Sequence, residues 1–208
     1  MKVAAILLAL ALGGAAIPGC QAQPPFEQAR LASKVIGLPE GKCSGTAVGR
    51  YTILSASHCF EDKPDAITVD GQQCSVWKII HDGRDHALVT VSCLQKHRAR
   101  IGGKLHSGDH VFVWGNPGDF NGLLRQATVV GKLTMPREDT QDWPELAGEV
   151  WLLDGALGKG DPGAAVFDEQ GYVVGVVSFG TMYHTYPPNL FTGSLPFAFT
   201  KQQWKDAR

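Results

Sequence analysis

Asp154–Gly180 reads DGALGKGDPGAAVFDEQGYVVGVVSFG. A glycine-rich turn leads into a short apolar strand, then a tight Asp168-Glu169-Gln170-Gly171 turn, then a second apolar strand rich in valine. Both runs are too short for a helix and are bounded by turn residues, so the stretch reads as β structure. Within its glycine-rich turn, Pro162 stands between Asp161 and Gly163.

Outward from this stretch the same grammar repeats. Short apolar runs at Gly45–Gly49, Thr52–Ser55, Ala66–Val69, Ser75–Ile80 and Ala87–Val91 precede a polar gap from Gln95 to Asp109. A second set follows at Val111–Trp114, Leu123–Leu133, Val150–Leu153, Ala164–Phe167 and Tyr172–Phe179. Turn pairs such as Asp70-Gly71, Asp82-Gly83 and Gln170-Gly171 separate them. Only Thr200–Ala207 keeps a helical period. The expectation is an all-β chain in two halves joined near residue 100, with a short C-terminal helix and no internal repeat.

The chain has 208 residues, 44% of them hydrophobic, with 25 Gly and 12 Pro, as befits a folded, turn-rich protein. A net charge of −1 gives no global attraction to nucleic acid or to anionic membranes. The densest basic cluster, Lys96-His97-Arg98-Ala99-Arg100, reads as a solvated connector.

The N-terminus reads as an export signal. Met1-Lys2 precedes Val3–Ile17, an uncharged apolar run of 15 residues, short for a bilayer span but suited to a secretory signal. It ends in Ile17-Pro18-Gly19-Cys20, which resembles a bacterial lipobox, with Pro18 atypical at its position. This implies a lipoprotein signal over residues 1–19 and an acylated Cys20 at the bacterial envelope. The alternative is an ordinary signal cut after Ala22, giving a secreted or periplasmic protein. Of five cysteines, Cys43, Cys59, Cys74 and Cys93 can form two pairs, which leaves Cys20 over for acylation. Residues 20–33, with Pro24-Pro25, read as a tether.

Cys43-Ser44-Gly45-Thr46-Ala47 followed by Ile53-Leu54-Ser55-Ala56-Ser57-His58-Cys59 resembles the histidine segment of chymotrypsin-like serine proteases, including the short bacterial HtrA-like branch. The two cysteines stand 16 positions apart, as that family's disulfide requires. Asp85-His86-Ala87-Leu88-Val89 resembles the family's Asp-x-Ala-Leu segment, in which the carboxylate orients the histidine. Asp82, the nearby competitor, reads as a turn residue. Val113-Trp114-Gly115-Asn116-Pro117-Gly118 resembles the Gly-Asn-Pro turn of the bacterial branch. The resemblance spans residues 43 to 180 and keeps the order His–Asp–nucleophile. It implies two packed six-stranded antiparallel β-barrels, residues 34–100 and 101–208, and a Cys43–Cys59 disulfide. Cys74 and Cys93 bracket a hairpin and are inferred to pair. No cofactor is implied.

The family's nucleophile motif, Gly-x-Ser-Gly, here reads Gly160-Asp161-Pro162-Gly163. Proline removes the attacking hydroxyl, a loss on the order of a million-fold in kcat in an enzyme of the same triad logic. It also lacks the N–H that forms half of the family's oxyanion hole, and one such donor is worth about 10²–10³ in kcat. Gly160 would remain as the residual donor. Proline further restricts Asp161, so the turn is expected to be reshaped. The resemblance therefore implies a protease homologue that retains His58 and Asp85, lacks a nucleophile at Pro162, and offers Ser178, Phe179 and Gly180 to the backbone of a peptide or protein ligand. An active endopeptidase with an atypical nucleophile and a structural or inhibitory envelope protein are the alternatives. Ser178 and Thr181 are poor substitutes for the nucleophile, because they fall along the cleft.

Other readings carry less. Lys34-Val35-Ile36-Gly37 looks like a zymogen cleavage site, but Val35 lies too close to Cys43 and reads as part of a first strand. His58 and Asp85 could be orphaned metal ligands with His81, His86 or His184, but no motif has ligand spacing, and no metal is expected. Ala156 and Asp154 fall where specificity-pocket residues would lie.

Overall fold

The computed structural model describes residues 27–137, 144–155, 158–183, 189–194 and 196–207. The signal, Cys20, Ala156 and His184 lie outside the described residues. Twelve strands form two closed barrels. The first contains β1 (Ser33–Leu38), β2 (Gly41–Ala47), β3 (Thr52–Ala56), β4 (Ala66–Val69), β5 (Gln72–His81) and β6 (His86–Val91). The second contains β7 (His110–Gly115), β8 (Leu123–Met135), β9 (Gly148–Asp154), β10 (Ala165–Phe167), β11 (Val173–Tyr183) and β12 (Asn189–Ser194). Around the first barrel the order is β1-β2-β3-β6-β5-β4, and the second runs β7-β8-β9-β12-β11-β10. The halves thus share one topology without sharing a sequence repeat.

Local chemistry sets the corners. Asp70 and Gly71 connect β4 to β5 with φ of 50° and 81°, the two-residue turn with both central residues left-handed that Asp-Gly favours. The expected disulfides are both formed: Cys43–Cys59 fastens the end of β3 to β2, and Cys74–Cys93 spans 19 positions from β5 to the segment after β6.

Each barrel has its own core. Ile36, Ile53, Phe60, Ile67, Val89 and Val91 fill the first, and Val111, Val113, Val129, Leu153, Val166 and Val177 fill the second. A third cluster, with Leu54, Leu88, Ala165, Phe167, Val173 and Val176, draws on strands of both barrels. β3 is buried at all five positions because Ile53 faces into the first core while Leu54 belongs to the third cluster. Burial on both faces removes the alternation of buried and exposed positions from β3 and β10.

The chain ends depart from the expectation. Residues 27–32 form α1 (Glu27–Ala32), whose Ala29 and Ala32 are fully buried in the third cluster, so the tether reading does not extend over them. The sequence after β12 does not stay with the second barrel. Ala198 N–H donates to Asp82 at 2.9 Å, and the helix α2 (Lys201–Asp206) is followed by Ala207, whose carbonyl accepts the Thr52 hydroxyl. The C-terminal arm therefore packs back onto the first barrel.

Candidate active site

β3 ends at Ala56 and a short turn of helix presents His58, while Asp85 stands just ahead of β6, the strand paired with β3. This brings the expected pair together. His58 Nδ1 lies 3.0 and 2.9 Å from the two Asp85 carboxylate oxygens, and the His58 amide donates to the same carboxylate at 2.9 Å. Asp85 is 1% exposed and His58 is partly open to solvent. One carboxylate therefore fixes both the main chain and the ring, leaving Nε2 as the working nitrogen.

Pro162 sits in a β-turn closed by the Ala164 amide on the Asp161 carbonyl at 2.8 Å. Gly163 takes φ 88°. A proline followed by a residue with φ near +80° is the preferred sequence for a type II turn. Proline therefore suits this turn. The Pro162 carbonyl accepts the Ser44 amide at 2.8 Å, so β2 holds the turn against the first barrel.

Gly160 is buried at φ 99°, and its carbonyl accepts Ser44 Oγ at 2.7 Å. Its amide has no protein acceptor among the described residues. Asp161 is fully buried. One carboxylate oxygen accepts the Gly158 amide at 2.7 Å and lies 2.9 Å from Arg125 Nη2 of β8. Val35 and Ile36 lie within β1 as expected, so Asp161 is paired with an internal guanidinium and not with a chain terminus.

Ser178, Phe179 and Gly180 lie on β11, where the pairing to β12 slips by a residue between Val177 and Phe179. On its other side β11 pairs with β10 only over Val173–Val176. The Ser178–Gly180 edge thus has a strand neighbour on one side alone, the arrangement that lets an extended peptide add as a strand. Ser178 is buried, with an unpartnered hydroxyl. Asp154 is exposed and accepts the Thr128 amide, so it braces β8.

Three site residues lay outside the sequence expectation. Ser44 bonds both Pro162 and Gly160. Asn116, quoted above only as part of a turn, donates to the Lys34 carbonyl at 3.1 Å and to Ser44 Oγ at 2.8 Å, and accepts the Gly122 amide at 2.8 Å. It thus joins the two barrels beneath the turn. Arg125 could have been suspected as a lone cation in an apolar strand.

His81 and His86 are otherwise engaged. His86 and Asp82 are both fully buried and 2.7 Å apart, so Asp82 is a buried anchor as well as the turn residue expected. His81 Nδ1 shares a hydrogen bond with Ser57 Oγ. Burial pushes its imidazole below the ordinary value and nearby Lys63 adds to this, against the opposing pull of Asp82, Asp85 and Glu61. Among the described residues, no three His, Cys, Asp or Glu converge as a metal ligand set.

The trypsin-like peptidase domain family matches residues 43–176. By sequence the chain matches no curated protein. Among solved structures, an inactive form of Rv3671c from M. tuberculosis H37Rv superposes with a TM-score of 0.70 at 17% identity, covering 91% of this chain and 93% of that one. The HtrA-type protease AlgW, in complex with a decapeptide, gives 0.64 at 14% identity over 88% and 65%. A human astrovirus serine protease gives 0.58 at 17% identity over 84% and 93%.

Proposed function

The chain belongs to the trypsin-like peptidase family, and from that premise we propose that it binds peptide or protein without cleaving it, as a pseudoprotease held at the bacterial envelope by an acylated Cys20. The observation that carries this reading is Pro162 in a fully formed turn, beside a His58–Asp85 pair with hydrogen-bonding geometry.

In an active family member a serine hydroxyl attacks the carbonyl while the histidine takes its proton. At position 162 there is no hydroxyl to give a proton to His58 and no N–H to share with the Gly160 amide. A peptide carbonyl docked here would meet one donor and no nucleophile. Binding, by contrast, uses backbone groups. An extended peptide would pair with the Ser178–Gly180 edge, and AlgW, whose structure holds a decapeptide, supports a peptide as the ligand class. Ser44, bonded to Pro162, Gly160 and Asn116, ties the first barrel to the second whether or not chemistry follows.

Export and acylation rest on Met1–Ile17 and the Ile17-Pro18-Gly19-Cys20 motif. The test is paired. Purified protein is expected to leave a broad peptide library uncut and to resist a fluorophosphonate probe, while retaining selected peptides from the same library. Hydrolysis abolished by His58→Ala, or labelling at any serine, would overturn it.

A further inference from the structure

A cavity of about 780 Å³ has none of His58, Asp85 and Pro162 in its walls. It lies where α1, the connector between the barrels and α2 meet, and Lys96, His97, Arg98 and Arg100 line it together with Leu31 and Trp204. A smaller groove shares Ile101 and Trp204 and adds Lys201 and Lys205 of α2. Lys96, Arg98, Arg100, Lys201 and Lys205 are exposed, and none forms an ion pair among the described residues.

The connector is solvated, as its composition suggests, but its main chain is held in place. Gln95 N–H donates to the Arg50 carbonyl and Ala99 N–H to the Ala47 carbonyl, both at 2.8 Å. Val173 N–H donates to the Arg100 carbonyl at 2.8 Å, and Gln28 Nε2 donates to the Arg98 carbonyl at 2.7 Å. Ala99 is buried between the flanking arginines. The alternation of pinned and exposed residues holds the cations on one face, around a half-buried indole. For a chain of net charge −1, this concentration is a strong local asymmetry.

We propose that this face rests on a membrane surface and takes the phosphate groups of anionic phospholipids. The choice of occupant rests on the acylation of Cys20 proposed above. Cys20 precedes Glu27, the first residue of α1, by only seven positions, a reach of at most about 25 Å. α1 supplies one wall of the basic cavity, through Gln28 and Leu31. A lipid on Cys20 would thus bring this face, and no distant one, to the headgroups. Clustered Lys and Arg beside an anchor gain from the negative surface potential, and a single acyl chain needs such a second contact to hold firmly. Trp204 supplies the aromatic ring that favours the interface.

The test uses the mature chain from Gln21 onward, without an acyl group, so that the face is read apart from the anchor. It is mixed with vesicles containing about 30% phosphatidylglycerol, or none, in about 0.1 M salt. Co-sedimentation with the anionic vesicles alone is expected. The triple variant Lys96→Glu, Arg98→Glu, Arg100→Glu should bind at least about tenfold more weakly, while Lys63→Glu, Lys78→Glu, Lys104→Glu, with the same change in net charge, should bind much as the parent does. Absence of binding to anionic vesicles, or equal loss in both triples, overturns the proposal. So does capture of polyglutamate by a chain that ignores vesicles, since the partner would then be an acidic protein. Acylation is read separately from the mass of the N-terminal peptide of exported protein. A chain that binds anionic vesicles but carries no lipid keeps this surface and loses the anchor.

Discussion

The Ser44 amide donates to the Pro162 carbonyl across 2.8 Å, and this bond does not depend on which side chain occupies position 162. The turn is further closed by Asp161 and Ala164. Serine can adopt the same backbone angles as proline here, so Pro162→Ser should keep the turn while restoring both a hydroxyl and an N–H. The predicted outcome is labelling of the variant, but not the parent, by a fluorophosphonate probe, and weak peptide hydrolysis that His58→Ala abolishes. Recovery should be partial, because the rest of the cleft has no demonstrated fit to a transition state. Stability should fall by no more than about 1 kcal/mol, since proline's restriction of the unfolded chain is lost. An unlabelled but folded variant would show that the His58–Asp85 pair no longer supports chemistry.

Gly163 is the strictest position in the loop. A Cβ there would stand 2.1 Å from the Ser44 carbonyl oxygen and 2.3 Å from Ser55 Oγ, and its φ of 88° disfavours any L side chain. Gly163→Ala should therefore cost about 3 kcal/mol or more, read as a lowered denaturation midpoint. Gly83→Ala is the control: its φ is 78°, and a Cβ there would meet nothing within 4 Å. Its loss should stay near about 1 kcal/mol, the strain of the backbone alone.

Arg125 and Asp161 form a second dependency. The carboxylate is fully buried, and among the described residues its other oxygen has no hydrogen-bond partner and the guanidinium is its only counter-charge within salt-bridge distance. Removing one member of a buried pair costs about 3–5 kcal/mol. Arg125 is partly open to solvent, which brings the expectation for Arg125→Met to the lower end, about 3 kcal/mol. The double change Arg125→Met with Asp161→Asn should recover part of that loss in urea unfolding. Equal loss in single and double variants would mean that Arg125 acts by packing alone.

The sequence made the barrels and the His58–Asp85 pair legible for a physical reason. Short apolar runs between turn residues, the 16-residue cysteine spacing and the Asp-x-Ala-Leu start of β6 are signals carried within short stretches of chain. β12 was not legible: Asn189–Ser194 contains Thr192, Gly193 and Ser194, and its place comes from pairing with both β9 and β11. The roles of Asn116 and Arg125 were equally hidden, because each acts on partners far away in the chain, Ser44 and Asp161. α1 was concealed by its small size and polar surface, although two alanines anchor it.

His81 gives the site a pH dependence whose sign can be fixed. Burial and Lys63 hold its imidazole below the ordinary value of about 6.5, so the folded chain binds this proton less readily than the unfolded chain. Stability therefore rises with pH between the folded value and about 6.5, is fully present above that window, and is lost as pH falls through it. Protonation would put a proton on both ring nitrogens, leaving Nδ1 able only to donate to Ser57 Oγ, and Ser57 directly precedes His58. His81→Gln, which cannot titrate, should flatten this part of the curve. Urea midpoints for parent and variant, taken at intervals from pH 7.5 to 5, should converge with the parent's stability falling faster. Because His81 is less than half buried, the difference should be modest, and the other histidines and carboxylates cancel in the comparison. Parallel curves would mean that His81 is as easily protonated in the folded chain as in the unfolded one, and that the Ser57 contact carries no pH sensitivity.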